Sequence, residues 1–181
     1  MIIIEGPDGS GKTNLIGRLA DRFQLKVHEK FVHSTDYEGS SGDLFQRACL
    51  DIVDRPNELT IYDRHPLISE YVYGPIIRGK LPALVWAGPV ARQMVERLAS
   101  NSLVVWCRPP NERLHSTVST ERDMTGVSTH IDAIAGVYDA LRVMWPGLNA
   151  IPYDYTKKFD LDYVYSRIQI YIAEWNKHND K

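Results

Sequence analysis

The clearest chemical signal in the sequence is a glycine-rich segment close to its start. Residues 6–13 read Gly-Pro-Asp-Gly-Ser-Gly-Lys-Thr and fit the pattern G-x-x-x-x-G-K-[ST]. Glycines at this spacing let backbone N–H groups curl around a phosphate, and a helix that follows adds the positive end of its dipole. The pattern predicts a site for ATP, in which Lys12 reaches the β and γ phosphates and Thr13 binds Mg²⁺. The loop residues predicted to contact the nucleotide are Gly6, Asp8, Gly9, Ser10, Gly11, Lys12 and Thr13.

A carboxylate and a guanidinium follow another predicted strand. The β-prone segment 59–62 leads directly into Asp63 and Arg64. Arg64 can bind a phosphate through two parallel hydrogen bonds, and Asp63 can hold Mg²⁺, its water or an acceptor hydroxyl. The same pair can also be a structural ion pair. Because the pair is predicted to face a phosphate-binding loop, we favour an acceptor site over a structural ion pair. The sequence has no N-K-x-D motif, which argues against a GTPase.

Strands and helices alternate along the chain and must position these residues. Apolar strands are predicted at 1–5, 25–28, 59–62, 103–107 and 150–153. Helices are predicted at 12–23, 43–54, 89–99, 111–119, 131–145 and 161–175. Residues 64–88 hold three prolines and predict a broken helix followed by a mobile loop, while 33–43 and 120–128 predict loops. The alternation predicts an α/β P-loop NTPase fold, a five-stranded parallel sheet with helices on both faces. The strand ends then bring Glu5, Asp63 and Arg108 to one edge, where Arg108 would line the nucleotide site.

Length, charge and cysteine content exclude several protein classes. The 181 residues predict one domain, with a short lid at about 111–130. A formal charge of −2 argues mildly against a protein that coats nucleic acid. Cys49 and Cys107 are too few for a secreted disulfide framework, and no apolar run approaches the roughly 18 residues of a membrane span. We therefore expect a cytoplasmic protein without a signal peptide or membrane contact.

Two segments of the first 75 residues resemble thymidylate kinases, particularly the compact members encoded by phages. The stretch 2–13 is similar to their strand followed by E-G-x-[DE]-G-x-G-K-[ST], and Asp63-Arg64-His65 to their D-R-[YFHW] segment. The resemblance implies an ATP- and Mg²⁺-dependent kinase that converts dTMP to dTDP. Asp8 would then hold the 3′-hydroxyl of the deoxyribose, Arg64 the acceptor phosphate and Asp63 the Mg²⁺. Glu5 would support this cluster from behind the loop.

The chain also departs from that family. Tyr73 stands where the family has its base-reading glutamine, and the segment 28–31, His-Glu-Lys-Phe, replaces an arginine-glutamate-proline segment. Base identity is therefore open: Phe31, Tyr71 and Tyr73 either stack on a base or pack in the core. Gly9 stands where some members carry a catalytic arginine. Arg113 and Arg122, on either side of the predicted lid loop, are the candidate catalytic arginines, with a surface role as the alternative.

Three functions are consistent with these residues. The first is phosphoryl transfer to a deoxynucleoside monophosphate, a small-molecule partner. The second keeps ATP but phosphorylates a deoxynucleoside or the hydroxyl of hydroxymethyluracil in phage DNA. The third is a nucleotide-binding regulator without transfer, which the Asp63-Arg64 pair disfavours. A stripe through Val90, Met94 and Leu98 belongs either to the core or to a homodimer surface.

Overall fold

A computed structural model describes residues 1–31, 41–54, 58–79, 88–118, 125–145 and 147–179. Its strands are β1 (Ile2–Glu5), β2 (Lys26–Val27), β3 (Thr60–Asp63), β4 (Leu103–Cys107) and β5 (Ala150–Tyr153). They form one sheet in the order β2-β3-β1-β4-β5, and every pairing is parallel. The predicted five-stranded parallel sheet is confirmed. Because the strand order reverses around β1, a ligand crevice is expected at the carboxyl end of that strand.

Helices cover both faces of the sheet, as predicted. Side chains alternate along β1, so Ile2 and Ile4 enter one core and Ile3 enters the other. The core around Ile2 and Ile4 also holds side chains of the first and last helices, and the core around Ile3 holds side chains of the others. In the described residues the helices are α1 (Lys12–Phe23), α2 (Ser41–Asp54), α3 (Pro66–Arg78), α4 (Pro89–Asn101), α5 (Asn111–Thr117), α6 (Val127–Met144) and α7 (Asp160–Asn179).

Helix α3 differs from the broken helix that the prolines predicted. It runs continuously from Pro66 to Arg78 with Pro75 inside it. Pro66 occupies its first turn, where the missing N–H has no helical partner, and the His65 ring caps this end by accepting from Leu67 N. Pro75 lies in the last turns, where its lost hydrogen bond interrupts little of the helix. Gly79, in the left-handed region at φ 59°, then ends the helix.

Three predicted loops lie partly outside the described residues. Residues 32–40, 80–87 and 119–124 are not described, and Arg122 is among them. At the described edges, α2 begins at Ser41 and α6 at Val127, earlier than the predicted starts at 43 and 131. Gly126, at φ 89°, takes the left-handed conformation that precedes α6.

The stripe on α4 belongs mostly to the core. Leu98 is fully buried and Met94 packs against the core, whereas Val90 is 57% exposed. None of the helices within the described residues is long and apolar enough to cross a bilayer.

Candidate active site

The glycine-rich segment forms a tight loop between β1 and α1. Gly6, Gly9 and Gly11 all have positive φ angles. A Cβ on Gly6 would lie 2.2 Å from the Cys107 carbonyl oxygen, so only glycine fits there. Lys12 Nζ donates to the Pro7 carbonyl at 2.6 Å, and burial lowers the pKa of Lys12 to about 8. The lysine charge therefore lies beside the loop backbone, where the pattern predicts phosphate binding.

Arg64 lies at the centre of the cluster opposite this loop. Its backbone is in the left-handed region at φ 67°, and its N–H donates to the Ile4 carbonyl at 3.0 Å, which fixes the end of β3 beside β1. Its Nη2 donates to Asp8 Oδ1 at 2.8 Å and to the Tyr73 hydroxyl at 2.6 Å. Nε and Nη2 also point at the Gly6 carbonyl oxygen. Among the described residues Arg64 Nη1 makes no hydrogen bond, which leaves a donor for a ligand.

Asp8 and Tyr73 complete this cluster. The Tyr73 hydroxyl donates to Asp8 Oδ2 at 2.7 Å, so Asp8 receives one bond on each oxygen. Burial opposes ionisation of Asp8, but the Arg64 and Lys12 charges outweigh it and hold the pKa of this carboxyl below its usual value. The Tyr73 ring packs against the Arg64 guanidinium at 4.8 Å. Tyr73 therefore acts through its hydroxyl in this cluster, a role the sequence did not indicate.

Glu5 lies behind the loop and joins three elements. Its side chain is fully buried: Oε1 accepts from His65 N at 2.8 Å, and Oε2 accepts from the Tyr138 hydroxyl of α6 at 3.0 Å. Burial raises the pKa of Glu5 to about 7, against those two hydrogen bonds and the Arg64 and Lys12 charges. Burial also lowers the pKa of His65 to about 3, so this ring is neutral. Glu5 thus links β1 to the start of α3 and to α6.

Two cavities meet at the carboxyl ends of β1 and β3, and three charged side chains line both: Lys30, Asp63 and Arg64. We call the cavity along residues 8–14 the phosphate cavity and the other the acceptor cavity. The acceptor cavity is bounded further by Phe31, Leu44, Pro66, Ser69, Glu70, Tyr73 and Arg78. A group bound in one cavity would therefore lie next to a group bound in the other.

The described oxygen ligands suit Mg²⁺. Thr13 and Asp63 both line the phosphate cavity, and Mg²⁺ takes hydroxyl and carboxylate oxygens together with substrate phosphates and water. The described residues contain no group of three or more His, Cys, Asp or Glu placed to hold a metal by themselves. An ion here would complete its coordination from phosphates and water.

A third cavity, of about 470 Å³, opens on the other side of the loop. Tyr155 packs over Gly11, where a Cβ would lie 2.9 Å from its ring. Thr117 of α5 donates to the Gly9 carbonyl at 3.0 Å. Tyr155 and Thr117 lie outside the motif, and no local pattern predicts their contacts with it. The lining residues are Gly9, Gly11, Asn14, Arg18, Thr117, Tyr153, Tyr155, Lys157, Lys158 and Leu161.

The remaining candidate site residues lie in several different surroundings. Arg108 pairs with Asp139 of α6 at 3.0 Å and donates to Pro109 O, and it is not among the residues that line the three cavities described above. Tyr71 packs edge-on against Trp145, with ring centroids 5.4 Å apart, whereas Phe31 and Tyr73 line the acceptor cavity. Arg113 is exposed on α5, one turn before the residue that contacts the loop.

The fold is that of P-loop kinases. The chain is similar to the YorR protein of Bacillus subtilis in complex with phosphorylated GDP, with a TM-score of 0.67 and 18% identity over 98% of this chain and 97% of that one. It is also similar to deoxyadenosine kinase from M. mycoides with bound dCTP, with a TM-score of 0.58 and 14% identity over 93% and 99%. A shikimate kinase from Acinetobacter baumannii in complex with shikimate gives 0.55 and 13% over 96% and 93%. No protein-family model and no curated protein matches the sequence.

Proposed function

We propose that this protein is a kinase that transfers the γ-phosphoryl group of ATP to a deoxynucleoside monophosphate, with dTMP as the first acceptor to test. The observation that carries the proposal is the position of Arg64. Its guanidinium lines both cavities and retains a donor at Nη1. A guanidinium at the junction of a phosphate-binding loop and a second cavity suits an acceptor that itself carries a phosphate.

The charge around the acceptor cavity supports an anionic acceptor. Lys30, Arg64 and Arg78 line it, and each is paired with a carboxylate, respectively Asp63, Asp8 and Glu70. Arg64 keeps a donor at Nη1 and the Lys30 side chain is largely exposed, so the two cations that also line the phosphate cavity can still contact an anion. Phe31, whose ring stacks on His28 at 5.1 Å, adds an apolar wall suited to a base. A nucleoside monophosphate has both the charge and the ring that these walls match.

The chain's own groups then perform the transfer mainly by positioning and charge neutralisation. The loop N–H groups and Lys12 hold the donor phosphates, and Arg64 holds the acceptor phosphate in line with them. Asp8, ionised and bonded to Arg64 and Tyr73, fixes the direction of the guanidinium. Bound Mg²⁺, held by Thr13 and Asp63, would supply neutralisation of the donor phosphates. Glu5 keeps the ends of β1 and β3 and the start of α3 in register.

An acceptor panel tests the proposal. Purified protein with ATP and Mg²⁺ is offered dTMP, dUMP, thymidine or hydroxymethyluracil-containing DNA, and ADP release is followed. The proposal expects turnover with a monophosphate and none with K12A, which retains the fold because the Lys12 ammonium group, within the part of the chain described, donates to its own loop. Turnover with thymidine or the DNA alone would assign the alternative acceptors. Nucleotide binding without turnover of any acceptor would indicate a regulator.

A second acceptor class has one observation in its favour. The Asp63 carboxylate lies at the junction of the two cavities, where it can accept the proton of an attacking hydroxyl. A deoxynucleoside kinase needs such a base, whereas a phosphate acceptor attacks as an anion. The acceptor panel separates the two classes, because Asp63→Asn would remove a Mg²⁺ ligand as well as the base and would slow transfer to either acceptor.

A further inference from the structure

Lys30 lies at the junction of the two cavities and is absent from the motifs discussed above. It follows β2, and its Nζ lies 2.6 Å from Asp63 Oδ2. The lysine side chain is 67% exposed, whereas that of Asp63 is only 9% exposed. Lys30 and Asp63 line both the phosphate cavity and the acceptor cavity. The ion pair therefore occupies the place where a transferred group would pass.

The other cations of the phosphate cavity have fixed partners. Arg64 is bonded to Asp8, Tyr73 and the Gly6 carbonyl, and Lys12 is bonded to its own loop. Position 9 of the loop is a glycine, so it adds no cation to the phosphate cavity. Lys30, by contrast, has a long flexible stem, a compact charge and an exposed side chain. Because the Lys30 side chain is largely exposed, solvent weakens its pairing with Asp63, and the ammonium group can turn to another anion at small cost.

We propose that Lys30 is a catalytic residue that leaves Asp63 when substrates bind and contacts the phosphoryl group in transit. This inference rests on the proposed function. In the step, an acceptor phosphate oxygen forms a bond to the γ-phosphorus while the bond to the β-phosphate oxygen breaks, and ADP leaves with that electron pair. Lys30 stays protonated and transfers no proton. Its ammonium group neutralises oxygen charge, and its departure frees the Asp63 carboxylate.

Three variants test this role kinetically. K30Q removes the charge, K30R keeps it, and K26Q is the matched control, because Lys26 of β2 forms an exposed ion pair with Glu58. We expect K30Q to lower kcat by about 100-fold and to raise the KM for ATP by only about tenfold, since Lys30 contacts the terminal phosphate once it is bound and the contact strengthens as the group moves. K30R should recover most of the loss, and K26Q should match the parent. Equal kcat for K30Q and the parent at the same melting temperature would overturn the proposal, as would failure of K30R to exceed K30Q.

A binding measurement keeps the test independent of the acceptor. Inorganic tripolyphosphate carries no base or sugar, and calorimetry gives its affinity for each variant. The proposal expects binding to the parent and to K26Q, and at least about tenfold weaker binding to K30Q. Equal affinity for K30Q, or no binding to the parent, would overturn the role of Lys30. If the parent turns over no acceptor but K30Q still loses tripolyphosphate affinity, the proposed reaction fails while the phosphate contact stands.

Discussion

Replacement of Glu5 by glutamine tests whether burial controls the carboxyl group behind the phosphate loop. Burial raises the pKa of Glu5 from 4.5 to about 7 in the folded protein. Between these pH values the folded protein holds a proton that the unfolded chain has released. The stability contributed by the protonated carboxyl is therefore fully present below about pH 4.5 and is lost as the pH rises to about 7.

The size of the effect follows from the two pKa values. Each pKa unit corresponds to about 1.4 kcal/mol, so titration of Glu5 changes the unfolding free energy by roughly 3 kcal/mol in all. About 2 kcal/mol of this change falls between pH 5 and pH 8. The glutamine amide can still accept from His65 N and can donate to the Tyr138 hydroxyl. We therefore expect E5Q to gain about 2 kcal/mol in unfolding free energy relative to the parent between pH 5 and pH 8.

Urea denaturation of both proteins at four pH values measures this difference directly. The lowered pKa values of Lys12 and of the Met1 amino group also make stability depend on pH, but both groups are present in parent and variant. E96Q, on the exposed surface of α4, is the matched control and should show no such trend. A stability difference between E5Q and the parent that stays constant from pH 5 to pH 8 would refute the reasoning.

Four further predictions concern the groups around the loop. Arg64→Lys should lower kcat/KM for a monophosphate by at least about tenfold, because lysine cannot form the planar fork; equal activity on dTMP would contradict this. Tyr73→Phe should destabilise the protein by about 2 kcal/mol in urea, since two hydrogen bonds to charged groups are lost, while Y163F on the exposed surface should change stability little. Because the pKa of Lys12 is about 8 and the protonated lysine binds the phosphates, ATP affinity measured by titration should be flat below pH 8 and fall above it. An affinity that rises above pH 8 would contradict this role of Lys12. Arg113→Ala should lower kcat more than ATP affinity if this exposed arginine reaches the transferred group, and normal turnover would make it a surface charge.

The sequence predicted the sheet and the loop well because both depend on local patterns. Short apolar strands and glycine spacing are readable in a few consecutive residues, and the five strands lie close to their predicted positions. The contacts of Tyr73 and Tyr138 were not predictable in the same way. Tyr73 reaches Asp8 across 65 positions and Tyr138 reaches Glu5 across 133. Such pairs depend on how α3 and α6 pack, which no local pattern encodes.

Arg108 and helix α3 also show that local patterns do not encode tertiary packing. Arg108 follows a buried strand, as predicted, but its guanidinium turns to Asp139 of α6. Prolines predicted a broken helix after Asp63, yet the cap from His65 and the position of Pro75 near the end of α3 allow a continuous helix over Pro66–Arg78. In both cases the surroundings of the residue, which the local sequence does not specify, determine its conformation.

The most direct test of the central claim is the fate of the γ-phosphoryl group. ATP labelled on its γ-phosphate is incubated with the protein, Mg²⁺ and either dTMP or thymidine, and the products are separated by chromatography. We expect label in a deoxynucleoside diphosphate with dTMP, no labelled product with thymidine, and none in either reaction with K12A. Label in thymidine monophosphate alone, or label released only as inorganic phosphate, would contradict it.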